Sequence, residues 1–295
     1  MKNILLLFGL ASPFLFGQTF NVLEGPELFA PGIVSVASSE VKITFSRDGN
    51  LVIWGTVGRE NGPGGLDIWQ ASRSDSGWGD PLPVSFNSPE NDFDPGFSAD
   101  GKHLYFFSNR PGGYGGDDLY VVSFDPESGD FGEPVNLGAR INTAGDEWGP
   151  TESYDGQMLM FCSDSLGGKG EHDIFVCEKE GEDWGAPEAI AAVNSPLDDF
   201  DPIFLADNRT LLFTRKKNED EAYLFISYFT EKGYSAPEQL SAVLNQSGTW
   251  NFGASPDRKD PAVFYYSTRI AEQSRGRLDI FRVKYSMDSG GNSGF

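Results

Sequence analysis

Five short apolar runs recur along the chain: Leu51 to Trp54, Leu104 to Phe107, Leu159 to Cys162, Leu211 to Phe213 and Val263 to Tyr266. None alternates with polar residues, and a strand without alternation is one buried on both faces. Each run is too short for a helix, and no long amphipathic periodicity accompanies them. A turn of the Ser-x-Asp-Gly kind leads into most of them: Ser46 to Gly49, Ser98 to Gly101 and Tyr154 to Gly156, with degenerate forms at Ala206 to Asn208 and at Pro256-Asp257. Asp and Gly suit such turns because they tolerate positive φ.

The neighbouring segments repeat as well. An acid opens the next predicted strand in every copy, at Asp67, Asp118, Asp173, Glu221 and Asp279. Five equivalent acids read as structural, each placed to accept hydrogen bonds from the loop before it, such as the Gly-rich stretches 111–116 and 166–170. An aromatic stands three residues before a proline at Trp78/Pro81, Phe131/Pro134, Trp184/Pro187 and Tyr234/Pro237. A further copy at Pro26 precedes Pro81 by 55 residues, and the later intervals are 53, 53 and 50. That period fits one four-stranded propeller blade with its loops.

The count gives an all-β, five-bladed β-propeller with four-stranded antiparallel blades over residues 18–287. Its inner strands are expected to start near residues 40, 92, 147, 199 and 249. The order is permuted: the segment around Pro26 supplies an outermost strand before any inner strand appears in the chain. Pairing that segment with the last one, around Phe281, closes the ring and leaves no bare edge.

Composition agrees, with 36 Gly, 18 Pro and 14% aromatic residues in 295, as many short strands and tight turns require. The apolar run Ile4 to Leu10 after Lys2 reads as a signal peptide over residues 1–17, so a periplasmic or secreted protein with no membrane span in the mature chain is expected. Residues 288–295 read as a disordered tail. The formal charge of −22 repels phosphate backbones and anionic lipids, which argues against nucleic acid and acidic membranes as partners. The two cysteines, Cys162 and Cys177, fall in adjacent strands of one hairpin. If Ser163 faces Asp173, Cys162 faces Ile174 and Cys177 faces Leu159, too far apart to bridge.

The run DFDPGFSADGKHLYFFSNRPGG from Asp92 to Gly113, followed by Gly115 to Tyr120, resembles the TolB-type, WD-repeat-like propeller repeat. It is most similar to the form joined to OmpA-type domains in Gram-negative envelope proteins. Glu147 to Pro150 and Gly167 to Asp173 repeat the pattern, whereas Arg215 to Glu221 and Asn251 to Gly253 depart from it. The resemblance implies a non-catalytic bacterial propeller, a monomer that binds other envelope proteins.

Aligned first strands place Glu40, Asp92, Glu147, Asp199 and Thr249 at one position, which predicts an acidic ring at the channel mouth. Two residues on, Lys42, Asp94, Gly149, Asp201 and Asn251 form a second layer. The ring suits a hard cation such as Ca²⁺ at Asp92, Glu147 and Asp199, or a partner's basic side chain. The alternative is that each acid is satisfied by backbone amides of the neighbouring blade, which the rule for buried polar groups favours. No other cofactor is implied. A rival reading is a five-bladed glycoside hydrolase using axial carboxylates, against which stands the near-equivalence of the acids, since acid and base need different surroundings. The two histidines, His103 and His172, read as surface or hydrogen-bonded residues rather than ligands. The Gly-rich loops precede no helix, so they do not cradle phosphate.

Overall fold

The computed structural model describes residues 18–289, and within them the fold is all β with no helix. Five antiparallel sheets form five blades. Their innermost strands are Ser39–Phe45, Asp92–Phe97, Glu147–Glu152, Asp199–Phe204 and Phe252–Pro256. Each touches the innermost strands of the two blades beside it, and the fifth touches the first, so the ring is closed. The apolar runs are second strands: Leu51–Val57, His103–Ser108, Met158–Ser163, Leu211–Asn218 and Val263–Thr268. Third strands begin at or one residue before the repeated acids, as Leu66–Ser74, Asp118–Ser123, Asp173–Glu180, Glu221–Ser227 and Asp279–Ser289.

The second strands are buried because blades stack on both of their faces. One apolar cluster fills each junction between blades. Ile53, Phe97 and Phe106 lie between the first and second, and Phe107, Phe161 and Phe175 between the second and third. Met160 and Phe213 join the third to the fourth, Leu224, Tyr266 and Phe281 the fourth to the fifth, and Val52, Trp54 and Tyr265 the fifth to the first. Offset and edge-on aromatic pairs recur in these layers, as at Phe106 and Tyr120, 5.8 Å apart, where they add to the burial of area. The turns into the second strands use the left-handed conformation at Gly49, Gly101 and Gly156, with φ of 73°, 73° and 71°, and at Asn208.

The outermost strands of four blades are only two residues long, from Leu82–Pro83 to Glu238–Gln239. The fifth is the 11-residue strand Gln18–Leu28, which pairs antiparallel with Asp279–Ser289 so that Leu28 faces Phe281 and Val22 faces Tyr285. Phe20 stacks on Tyr285 at 5.1 Å. The longest outer strand therefore sits where the ring must be latched, and it covers an edge that would otherwise be open. The last strand runs through Ser289, two residues beyond the boundary expected at 287, because Thr19 and Gln18 pair with Asp288 and Ser289. The expected signal segment 1–17 and the rest of the tail lie outside the described residues. Cys162 faces Ile174 and Cys177 faces Leu159; both are buried free thiols.

Candidate functional site

The inner strands bring the predicted acids to equivalent places. Glu40 faces Thr56, Asp92 faces Ser108, Glu147 faces Ser163 and Asp199 faces Arg215. In the fifth blade Phe252 faces Ser267, so Asn251, not Thr249, occupies this position and bonds Thr268 Oγ1 at 2.6 Å. The reason lies in the turn that follows. Asp257 N bonds Val263 O as Ser98 N bonds His103 O, so Asp257 stands at the place of Ser98 and not of Asp100, two residues earlier in the turn.

These carboxylates do not form an open ring. All four are fully buried, and each is turned back onto the loop that delivers its own strand. Glu40 accepts from Val36 N and Ser38 Oγ; Asp92 accepts from Ser88 N and Oγ and from Arg110. Glu147 accepts from Thr143 N, Thr143 Oγ1 and Ser163 Oγ; Asp199 accepts from Ser195 N and from Arg215 Nε at 2.6 Å. Asp92, Glu147 and Asp199 therefore do not converge on one ion among the described residues. Burial pushes Glu40 up to about 7 against its Ser38 and Val36 donors. Burial also raises Glu147 and Asp199, the latter against Arg215.

A second set of residues works beside them and escaped the sequence reading. Asn87, Asn142, Asn194 and Asn245 each accept from and donate to the backbone of one third-strand residue: Ile68, Leu119, Ile174 and Leu224. The signal was present as Asn followed by Ser or Thr ahead of three inner strands, at Asn87-Ser88, Asn142-Thr143 and Asn194-Ser195. The repeated acids at the third strands bind the preceding loops. Asp67 accepts from Gly64 N, Asp118 from Tyr114 N, Asp173 from Lys169 and Gly170 N, and Asp279 from Arg275 and Gly276 N. Glu221, whose loop is short, instead accepts from Gly248 N of the next crossover.

Each inner strand carries a bulge two residues beyond the acid. The bulged residue has positive φ in all five blades: Lys42 51°, Asp94 53°, Gly149 63°, Asp201 49° and Gly253 64°. Gly253 thus takes the place expected of Asn251. A bulge re-aims its side chain, and here the five blades meet through it. Lys42 Nζ lies 3.7 Å from Asp201 Oδ1, and Gly253 N donates to Asp201 Oδ2 at 2.9 Å. A Cβ at Gly149 would come within 2.9 Å of Asp201 Oδ1, so that position has room only for glycine. Burial and the neighbouring Asp201 push Asp94 well above the carboxylate range, against the pull of Lys42. The layer thus gathers the side chains of Lys42, Asp94 and Asp201, each at most 6% exposed.

Among the described residues, one group has the ligand types and spacing for a metal ion, and it lies outside the ring: Asp146, Asp164 and His172 of the third blade.

No family profile and no curated protein matches the sequence. Solved structures with the same architecture are numerous. The endo-arabinase from Bacteroides thetaiotaomicron is similar at 12% identity and a TM-score of 0.51, over 88% of this chain and 99% of that one. A putative TolB from Agrobacterium tumefaciens is similar at 16% identity and a TM-score of 0.49, over 91% of both chains. TolB from Acinetobacter baumannii is similar at 11% identity and a TM-score of 0.48, over 85% of this chain, which spans 56% of that protein's length. At 12% identity the likeness to the endo-arabinase is one of fold alone.

Proposed function

We propose that this chain is a non-catalytic propeller of the bacterial envelope, exported to the periplasm or beyond, that binds other envelope proteins as a scaffold. The observation that carries this reading is the state of its axial carboxylates. Glu40, Asp92, Glu147 and Asp199 are fully buried, and Asp94 and Asp201 are 6% and 3% exposed. A glycosidase needs two carboxyls flanking a sugar with room for it or for water between them. Here the acids are consumed in holding loops and in sealing the axis, so the rigid ring supports presentation of loops better than chemistry. The formal charge of −22 favours partners with basic surfaces.

The test has two arms. The chain from Gln18 onward, offered a panel of chromogenic glycosides, should turn over none; turnover that disappears in Asp94→Asn would replace this reading with the hydrolase one. Immobilised on beads with envelope extract, the same chain should retain a discrete protein that elutes with salt, and retention of nothing above an unrelated acidic protein would count against the scaffold.

A further inference from the structure

The third blade departs from its neighbours at one corner of the mouth face. Asp146 is the last residue before the inner strand Glu147–Glu152, Asp164 the first after the second strand Met158–Ser163, and His172 the last before the third strand Asp173–Glu180. One ring nitrogen of His172 and one carboxylate oxygen of each aspartate lie within 4.8 Å of one another.

The imidazole is oriented as a metal ligand is oriented. Nδ1 lies 3.1 Å from Asp198 Oδ1, which also accepts from the backbone N of His172 at 2.9 Å. A carboxylate on Nδ1 fixes the proton there and leaves the lone pair on Nε2. That nitrogen is shut off from solvent and has no hydrogen-bond partner, in a residue only 8% exposed. The ring is clamped flat against Trp148, 4.0 Å between centroids. A buried acceptor left without a donor is destabilising unless something fills it.

The carboxylates are held from behind in the same way. Asp146 Oδ1 accepts from Asp117 N and Asp164 Oδ1 from Asp146 N, and the second oxygen of each has no hydrogen bond among the described residues. Glycines make this possible, since a Cβ at Gly116 would fall 2.1 Å from Asp146 Oδ1 and one at Gly145 would fall 1.9 Å from Asp164 Oδ1. The matching corners of the second and fourth blades carry other groups, and in the second Asp117 stands where the third blade has His172. The second blade has Asn91 donating to Asn109, and the fourth has Asp198 with Lys216 Nζ 3.7 Å away. Only the third pairs two carboxylates with an imidazole, and no Lys or Arg forms an ion pair with them among the described residues.

The geometry points to a divalent transition-metal site at Asp146, Asp164 and His172, with Asp198 as the positioning residue for the imidazole. One nitrogen and two carboxylate oxygens suit Zn²⁺ or a neighbour of it in the series better than Ca²⁺ or Mg²⁺, which prefer all-oxygen shells. Ligand atoms around tetrahedral zinc stand roughly 3.3 Å apart, so binding draws the exposed Asp164 inward and leaves one position for water or a partner's side chain.

The test uses the chain from Gln18 onward, stripped with chelator and titrated with Zn²⁺. Calorimetry should give one ion per chain. Because the protein has two histidines, imidazole ¹H–¹⁵N spectra should move Nε2 of His172 and leave His103 in place. Asp164→Asn keeps the Oδ1 acceptor and the fold and should weaken binding at least tenfold, as should His172→Gln; Asp198→Asn should weaken it 10- to 100-fold. Absence of stoichiometric binding, Ca²⁺ bound as tightly as Zn²⁺, or an unmoved His172 signal would each overturn the site.

Discussion

Lys42 Nζ and Asp201 Oδ1 lie 3.7 Å apart on the axis of the propeller, joining the first blade to the fourth through side chains 2% and 4% exposed. Both residues sit at bulges with positive φ, a conformation that costs of order 1–3 kcal/mol at a non-glycine residue. The ammonium has no hydrogen-bond partner, so its compensation is electrostatic, and it also holds down the Asp94 carboxyl. This pair is where strain, burial and charge coincide, and it makes the centre of the ring a fixed plug.

Lys42→Met should therefore destabilise the protein by about 3–5 kcal/mol, the usual cost of leaving one partner of a buried pair uncompensated. Adding Asp94→Asn and Asp201→Asn to Lys42→Met should recover most of that loss, since the layer is then neutral. Chemical denaturation at neutral pH reads both effects; a single variant as stable as the parent would show that the pair carries no net energy.

Asn194 spans from the crossover to both backbone groups of Ile174, at 2.9 and 3.0 Å, and is almost wholly buried. Asn194→Ala strands a buried N–H and C=O, which should cost about 2–4 kcal/mol. Asn194→Asp keeps the acceptor but loses the donor and buries a charge, so it should be at least as damaging. Denaturation midpoints compare the two, and a harmless alanine would deny the asparagines their role as latches.

Much of this architecture was legible in the chain. The apolar runs at Leu51, Leu104, Leu159, Leu211 and Val263 announced strands buried on both faces, and the prolines from Pro26 to Pro237 carried the blade count and the closure. Both kinds of signal are local in sequence and repeated. The direction of a side chain was not legible. Glu40, Asp92, Glu147 and Asp199 were placed in register, but whether they face the channel or their own loops depends on crossover geometry. A turn acid, Asp257, that stands two residues early in its turn was enough to misplace the fifth copy. The corner at Asp146, Asp164 and His172 unites three strand ends distant in sequence, which no spacing rule connects.

Deleting residues 18–29 should open the ring at its latch. The 11-residue strand Asp279–Ser289 would become an exposed edge, and Phe20 would no longer cover Phe264 and Tyr285. Such edges recruit other chains, so the truncated protein should elute as oligomers in size-exclusion chromatography where the chain from Gln18 elutes as a single small species.

The thiols should be inert in the folded protein. Burial pushes Cys177 up to about 12 and Cys162 well above the thiol range, and only a thiolate attacks a disulfide reagent. At pH 8 an aromatic disulfide should react with neither until denaturant is added, and then with both. Rapid reaction in native buffer would contradict the burial described.

Glu40 gives the protein a measurable pH dependence. Its carboxyl titrates at about 7 in the folded chain because burial outweighs its Ser38 and Val36 donors, against 4.5 when free. The folded state thus holds this proton more tightly, so the associated stability is fully present below about pH 4.5 and is lost as pH rises through about 7. At about 1.4 kcal/mol per pH unit the full difference is about 3.5 kcal/mol. Glu40→Gln removes the titration without changing the shape of the side chain. Other acids of the molecule titrate in both variants and cancel in the comparison. Unfolding free energies at pH 5 and pH 8.5 should therefore show the variant gaining on the parent by up to about 3 kcal/mol at the higher pH. A gap between the two proteins that stays constant with pH would mean that Glu40 is ionised in the fold, with its Ser38 and Val36 donors and the charge of Arg59 outweighing burial.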